Sequence, residues 1–423
     1  MRLAIKFILK NKALRYDLFR KYLLQRFCII LALFMQNTIL VYWLYTLTND
    51  VWSIGKLGLF EAIPAIGFSL FSGHFVEQRE KKTLLSWCIA AYVILSAGYV
   101  TLSWAGEEKM LSVPMIANLI YAGFFINGMI RAFLSPSSFS LVGMLIPRKL
   151  YPNAATWSST SWQTGAVIGP LIGGVLIALF RVPVSLIVVL AVEVVALVAV
   201  MSIPKQPIAK KEKEPILKSL KEGMQFVFST QIILAALALD MFAVLFGGAT
   251  ALLPAFARDI LKVGEVGYGW MRAAPGIGAI IIFFVLAWKP LKTKPGVKLL
   301  LSIAGFGLSI IIFGISRNAY LSFAMLLASG MFDAVSVVVR STVLQLYTPD
   351  EMRGRVSAVN TMFISSSNEI GEVESGLTAK WMGTTPAVVF GGCMTIVVVA
   401  ATWFVAPAIR NFKLEISDRK DKT

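Results

Sequence analysis

Apolar runs of about 18 residues or more recur along the whole chain, each long enough to cross a hydrocarbon layer of about 30 Å as a helix. Twelve are readable, at 22–47, 54–76, 83–104, 113–133, 154–180 and 184–203, and again at 232–255, 267–287, 297–315, 320–347, 356–382 and 387–409. Lipid offers backbone N–H and C=O groups no partner, so these spans are expected as helices; a barrel would show short alternating strands. Composition agrees, with 57% of the 423 residues apolar and 15% charged, far from the balance of a soluble domain. The expected fold class is an all-α integral membrane protein with twelve transmembrane helices.

A formal charge of +17 raises nucleic acid as a partner, and the placement of the basic residues decides against it. With both termini cytoplasmic, 29 of the 40 Lys and Arg fall in the inner loops, tails and inner span ends and seven in the outer loops and outer span ends, the remaining four being Arg26, Arg131, Arg272 and Arg340 deep inside spans. That asymmetry is the positive-inside rule, and dispersed loop charge lacks the concentrated basic face that nucleic acid needs. The expected location is the inner (plasma) membrane, with the lipid bilayer as partner. The basic segment 1–21 reads as an amphipathic stretch on the inner leaflet or as a plain topology anchor. Cys28, Cys88 and Cys393 all lie inside spans and His74 stands alone, so neither a disulfide framework nor a metal site is expected. No cofactor is expected.

The polar stretch 204–231 is the only long inner connection and reads as a linker between a six-helix bundle at 22–203 and a second at 232–409, followed by a tail at 410–423. The halves share a plan. Gly128-Met129 and Pro147 match Gly330-Met331 and Pro349 at one offset of 202 residues, which also pairs Gly169 with Gly371 and Gly174 with Gly376; Gly58, Pro64 and Gly67 match Gly269, Pro275 and Gly278 at 211. Two pseudo-symmetric six-helix bundles with a site at their interface make a transporter architecture, here expected as a monomer.

Several motifs resemble those of the major facilitator superfamily. "GHFVEQREKK" after the second span resembles its loop signature, with Glu77, Gln78 and Glu80 where aspartate, arginine and glycine are usual. "GAVIGPLIGG" on the fifth span matches the family's exporter motif at Gly165, Gly169, Gly173, Gly174 and Pro170. "LDMFAVLFGGATALLPAFAR", "RSTVLQLYTPDEMRGRVSAVN" and "NEIGEVESG" resemble the bacterial branch that includes enterobactin and macrolide exporters. The resemblance implies a drug:proton antiporter type and a cavity lined by spans one, two, four, five, seven, eight, ten and eleven. It also implies an inner gate at Gly73, Glu77, Lys81 and Lys82, with Arg353 and Arg355 close by; the plainer reading gives these charges a topology role alone. Independently of any resemblance, Gly165, Gly169 and Gly173 are four apart, share a helix face and let a neighbouring backbone approach, while Pro170 kinks the turn.

Ionisable residues inside spans are costly when exposed to lipid, which makes each a site candidate. Glu61, Arg131, Glu193, Asp240, Asp333 and Arg340 stand out, with Asn368, Glu369 and Glu372 gathered on the eleventh span and Glu374 just beyond. Glu193 is the odd one, because the resemblance puts its span outside the cavity; a buried interhelical hydrogen bond or a place near lipid is the alternative. Arg131 and Asp333 occupy equivalent places in the two halves and could hold a substrate anion between them or form a structural ion pair. Glu369 and Glu372 share a face, where two carboxylates in a low-dielectric setting cannot easily both ionise; they read as a proton carrier or as hydrogen-bonding groups. The expectation is an alternating-access secondary transporter, not an enzyme, that exports an amphipathic small molecule, a siderophore or drug, against protons. Uptake or flipping of a metabolite or lysophospholipid is the alternative, ahead of a non-transporting receptor.

Overall fold

The computed structural model describes residues 13–206, 216–288, 294–349 and 352–412. Six long helices make the first half: α1 (Asp17–Thr48), α2 (Val51–Gln78), α3 (Lys81–Glu107), α4 (Val113–Leu145), α5 (Tyr151–Leu179) and α6 (Val182–Met201). The stretch read as a linker carries a helix of its own, α7 (Ile216–Ser229). The second half follows as α8 (Gln231–Phe246), α9 (Gly264–Trp288), α10 (Pro295–Ile315), α11 (Ala319–Tyr347), α12 (Arg353–Met382) and α13 (Thr384–Val405).

Local chemistry sets the breaks between helices. α1 stops at Asn49, whose φ of 48° is left-handed, a conformation asparagine tolerates better than most residues. One residue on, the Asp50 carboxylate accepts the Trp52 N–H at 3.0 Å and starts α2. Asn318 starts α11 in the same way, accepting from Tyr320 and Leu321. Proline does not end a helix here, with Pro64, Pro136, Pro170 and Pro275 inside α2, α4, α5 and α9. α4 therefore runs twelve residues past the span expected at 113–133. The Ser137 hydroxyl donates to the Phe133 carbonyl at 2.7 Å in the turn next to Pro136, a local adjustment of the sort that keeps proline inside membrane helices.

The seventh span departs from expectation in the opposite sense. α8 ends at Gly247, and the chain continues as a 3-10 turn at Ala249–Leu252 and short helical turns to Ile260. Gly247-Gly248 is a poor helix sequence, and a side chain at 247 would run into the Phe306 ring. Among the described residues eleven spans are long and apolar enough to cross a membrane. The remaining one, α12, has 30 residues but falls short in apolarity because Asn360, Asn368, Glu369, Glu372 and Glu374 lie along it.

The chain divides into two compact units, one formed by Met1–Ile216, Thr250–Ala273 and Glu372–Thr384, the other by Leu217–Ala249, Ala274–Gly371 and Thr385–Thr423. The first is built around Ile39, Leu44, Tyr99, Ile120, Leu186 and Val189, with a further cluster around Phe19, Tyr22, Leu85, Ile89 and Leu141. The second has its core at Ile233, Leu237, Leu299, Val339 and Val359. Large apolar side chains also remain outside, Ile94 at 73% and Phe139 at 80% exposed. Water would penalise that arrangement and acyl chains do not.

The residues matched between halves meet each other inside each unit. Gly128 on α4 lies against the backbone of Glu61 and the ring of Pro64 on α2, and Gly330 on α11 lies against the backbone of Pro275 on α9. In both places a methyl group would overlap the facing carbonyl, so the glycine sets how closely the helix pair packs.

Candidate functional site

The close packing of α2 on α4 has an electrostatic consequence. Because Gly128 touches the backbone at Glu61, the side chain one turn further along α4, Arg131, comes beside the Glu61 carboxylate. Arg131 Nη1 donates to Glu61 Oε1 at 2.9 Å. The pair is asymmetric, the Glu61 side chain being 11% exposed and that of Arg131 41%. Sequence equivalence matches Arg131 with Asp333; within its own bundle Arg131 bonds the Glu61 carboxylate.

Two further charges of the same unit act on this pair. Arg272, on α9, lies within electrostatic reach of Glu61, and Glu372, on α12, within reach of Glu61, Arg272 and Arg131. Two acids and two arginines from α2, α4, α9 and α12 thus form one balanced cluster. Arg272 is fixed by uncharged partners, donating to the Asn37 carbonyl of α1 and, at 3.0 Å, to the Tyr268 hydroxyl. Tyr268 stacks on Tyr42, ring centres 5.3 Å apart, and the Tyr42 hydroxyl donates to Glu265 at 3.2 Å. A guanidinium held this way keeps its charge available to an anion or a carboxylate.

Beyond this cluster the same unit is strapped by Tyr45, which donates to Asp259, and by Arg258, which donates to Asn49 at 2.7 Å. Glycines let the backbones touch directly. A Cβ on Gly174 would come 2.7 Å from the Glu265 carbonyl and 2.8 Å from the Gly269 Cα, and one on Gly376 would come 2.5 Å from the Gly55 Cα. Gly165, Gly169 and Gly173 turn the other way, onto Ile30, Leu31, Phe34 and Met35 of α1, while the carbonyl of Pro170 backs Gly269.

The second unit has its own ion pair. Asp240 on α8 and Arg340 on α11 bond directly, each side chain 7% exposed, and the Ser336 hydroxyl adds a contact to Asp240 at 3.4 Å. Asp333 is half-buried on α11; on α12 Asn368 is exposed and Glu369 buried. Glu193, on α6, is fully buried and belongs to none of these groups.

The residues expected at an inner gate divide. Gly73, Glu77 and Arg353 lie on α2 and α12, but their side chains are outside the described residues. Lys81 donates to the carbonyls of Val76 and Arg79 at the end of α2, where positive charge suits the helix dipole. The Lys82 N–H is bound by Glu80, whose carboxylate also accepts from Thr83 and from the Gln206 N–H at 2.9 Å. Burial disfavours the Glu80 charge, but hydrogen bonds from the Thr83 hydroxyl and from the Gln206, Thr83 and Lys82 N–H groups outweigh it and hold the carboxyl below its usual range. In the second unit Arg355 pairs with Glu222 of α7, where Gly223 lies against the Arg355 backbone.

Sequence reasoning missed Arg272, Asn37 and Tyr268. The signal for Arg272 was present, since it is one of four basic residues deep inside spans. Asn37 and Tyr268 carry no charge and become recognisable only through the arginine they hold.

Full-length comparison places these features in a family. The chain is 24% identical over 400 residues to the enterobactin exporter EntS of Escherichia coli O1:K1, covering 93% of each protein, and equally so to that of Escherichia coli strain K12. Among solved structures, a bacterial homologue of the human lysosomal transporter Spinster in an inward-facing, unoccupied conformation superposes with a TM-score of 0.72 at 16% identity, over 93% of this chain and 98% of that one. A D-xylose–proton symporter gives 0.70 at 11% identity, over 94% and 100%. The sequence profile of the Major Facilitator Superfamily matches residues 22–372, and the chain therefore belongs to that superfamily of secondary transporters.

Proposed function

We propose that this transporter exports an amphipathic, acid-bearing small molecule of the siderophore or drug class in exchange for protons, by alternating access. The observation that carries the reading is the balanced cluster of Glu61, Arg131, Arg272 and Glu372 at helix positions where charge is expensive. Such a cluster has two kinds of occupant. With no cargo, each arginine is satisfied by a carboxylate. A hydrogen-bond-donating or cationic group of the cargo needs an ionised carboxylate of the cluster, and a proton that neutralises that carboxylate releases the cargo, so that cargo and proton take turns at one site. The half-exposed side chain of Arg131 is the contact open to a ligand. The siderophore class is favoured by the full-length similarity to enterobactin exporters. Asp333 and Glu369, in the other unit, are further proton-site candidates, and both termini are assigned to the cytoplasmic face of the inner membrane.

The test uses purified protein in liposomes with a pH dye inside. Adding enterobactin to one side is expected to drive proton movement that depends on the protein and is lost in Glu61→Gln and Glu372→Gln. Cargo movement with no proton movement would overturn the exchange reading, and full coupling in both amide variants would overturn the site.

A further inference from the structure

Of the four arginines deep inside spans, three meet a carboxylate: Arg131 pairs with Glu61, Arg340 with Asp240, and Arg272 shares the cluster of Glu61 and Glu372. Arg26, on α1, is different. Its side chain is half-buried and held by neutral groups alone, Nε donating to the Ser158 carbonyl of α5 at 3.2 Å and Nη1 to the Ser138 hydroxyl of α4 at 3.1 Å. Ser138 is fixed in turn by the Tyr22 hydroxyl at 2.9 Å. Among the described residues no carboxylate pairs with Arg26 and nothing bonds its Nη2. A cation without a counter-charge is expensive at such a depth, and a guanidinium held rigid with donors to spare is suited to a planar oxyanion.

The part of α5 that Arg26 touches borders water. Thr156, Ser159 and Thr160 are exposed there, and a row of hydroxyls suits water where acyl chains would penalise it. Trp162 stands one turn, about 6 Å, beyond Ser158 on the same side of the helix. Its ring meets Phe34 of α1 edge to face, centroids 5.9 Å apart and planes at 79°, yet the residue is still 45% exposed. Phe34 is seated on Gly169, and Ile30, between Phe34 and Arg26 along α1, on Gly165. The small residues that bring α1 against α5 thus set a cation and an aromatic ring side by side along one seam.

We propose that Arg26 and Trp162 form a cargo subsite for an aromatic ring that bears an oxyanion, a carboxylate or a phenolate. The oxyanion accepts from the free N–H groups of Arg26, and the ring lies against the uncovered part of Trp162. The subsite shares no residue with the cluster of Glu61, Arg131, Arg272 and Glu372, so it grips the acidic end of the cargo without taking part in proton exchange. The inference rests on the export reading above in taking the occupant to be cargo, but its test needs no proton gradient.

The test measures binding of 2-naphthoate to the full chain in lipid nanodiscs by saturation-transfer NMR. Two relatives of the probe are run beside it, decahydro-2-naphthoate, which keeps the charge without the aromatic ring, and 2-naphthamide, which keeps the ring without the charge. Wild type is expected to bind naphthoate more tightly than either. Arg26→Gln should weaken naphthoate about tenfold or more, the worth of a hydrogen bond to a charged group, and leave the amide unchanged. Trp162→Leu should remove the preference for naphthoate over the saturated acid. Equal binding of all three probes by wild type, naphthoate affinity unchanged in Arg26→Gln, or the ring preference unchanged in Trp162→Leu overturns the proposal. Where the glutamine variant does not fold, the tryptophan variant decides, its side chain being half outside the packing. Naphthoate binding that follows both residues without enterobactin-driven proton flux defeats the export reading alone; flux with binding indifferent to both defeats this one alone.

Discussion

The two units each hold an intramembrane ion pair, and the pairs differ in what surrounds them. Asp240–Arg340 is closed on both sides, each side chain 7% exposed. Glu61–Arg131 has a buried acid and a half-exposed base, with Arg272 and Glu372 acting on it. A sealed pair has no exchange partner, so its effect is to hold α8 against α11. A pair with a second arginine and a second acid in reach can trade partners without stranding a charge. The position equivalent to Arg340 in the first half, at the offset of 202, is Ser138, which accepts from Arg26 at 3.1 Å and shares a hydrogen bond with Tyr22. Related bundles thus join the corresponding helices, one by ionic contact and the other by a charged donor on a hydroxyl. Identical architecture does not dictate identical charge.

The largest effect is expected where the comparison is broken in the sealed pair. Arg340→Ala leaves Asp240 buried and uncompensated and should cost about 3–5 kcal/mol, read as a lower melting temperature or lost expression. Replacing both partners by apolar residues of similar size should recover most of it, and a double variant as unstable as the single one would show that the pair does more than hold two helices.

In the open pair Glu61→Gln should cost only about 1 kcal/mol of stability, because Arg131 keeps access to other partners, yet abolish coupled proton movement in liposomes. Equal stability losses for the two pairs would erase the distinction drawn between them.

Gly174→Ala perturbs packing and leaves both ion pairs in place. Its methyl meets the Glu265 carbonyl and Gly269 Cα at less than contact distance, at an expected cost of about 1–3 kcal/mol. Amide hydrogen exchange in residues 250–273 should accelerate, while that in the α8–α11 contact should not change.

The smallest effect belongs to Glu80. Removing this cap with Glu80→Ala should cost at most about 1 kcal/mol. Since the folded-state value is depressed, the contribution is present above the ordinary glutamate value and lost as pH falls through the depressed one. Melting curves of wild type and variant should therefore separate at neutral pH and converge in acid.

Much of this was readable beforehand because its cause is local. Apolar runs mark spans, mid-span charges mark the residues that pair with one another, and Gly128 with Pro64 repeats as Gly330 with Pro275 because each half solves the same packing problem. Three things were not readable. The partner of Arg131 lies 70 residues away and is decided by which faces α2 and α4 turn to each other. That no side chain fits at Gly247, because the Phe306 ring takes the adjacent space, is a fact of tertiary packing. The linker reads as polar and charged, yet α7 forms there, held by Glu222 on Arg355 and by Gly223 against the Arg355 backbone. Glu80, which departs from the glycine usual at its place in the loop signature, turns out to start α3 and bind Gln206.

The seams at Gly55/Gly376 and Gly174/Gly269 consist of main chain against main chain. A joint made of interlocked side chains must reorder torsions each time it parts, whereas these surfaces have no χ angles to randomise or freeze. Parting such surfaces would carry a small entropic toll, so their cohesion is left to the few tyrosine and arginine straps around them, each removable one hydrogen bond at a time.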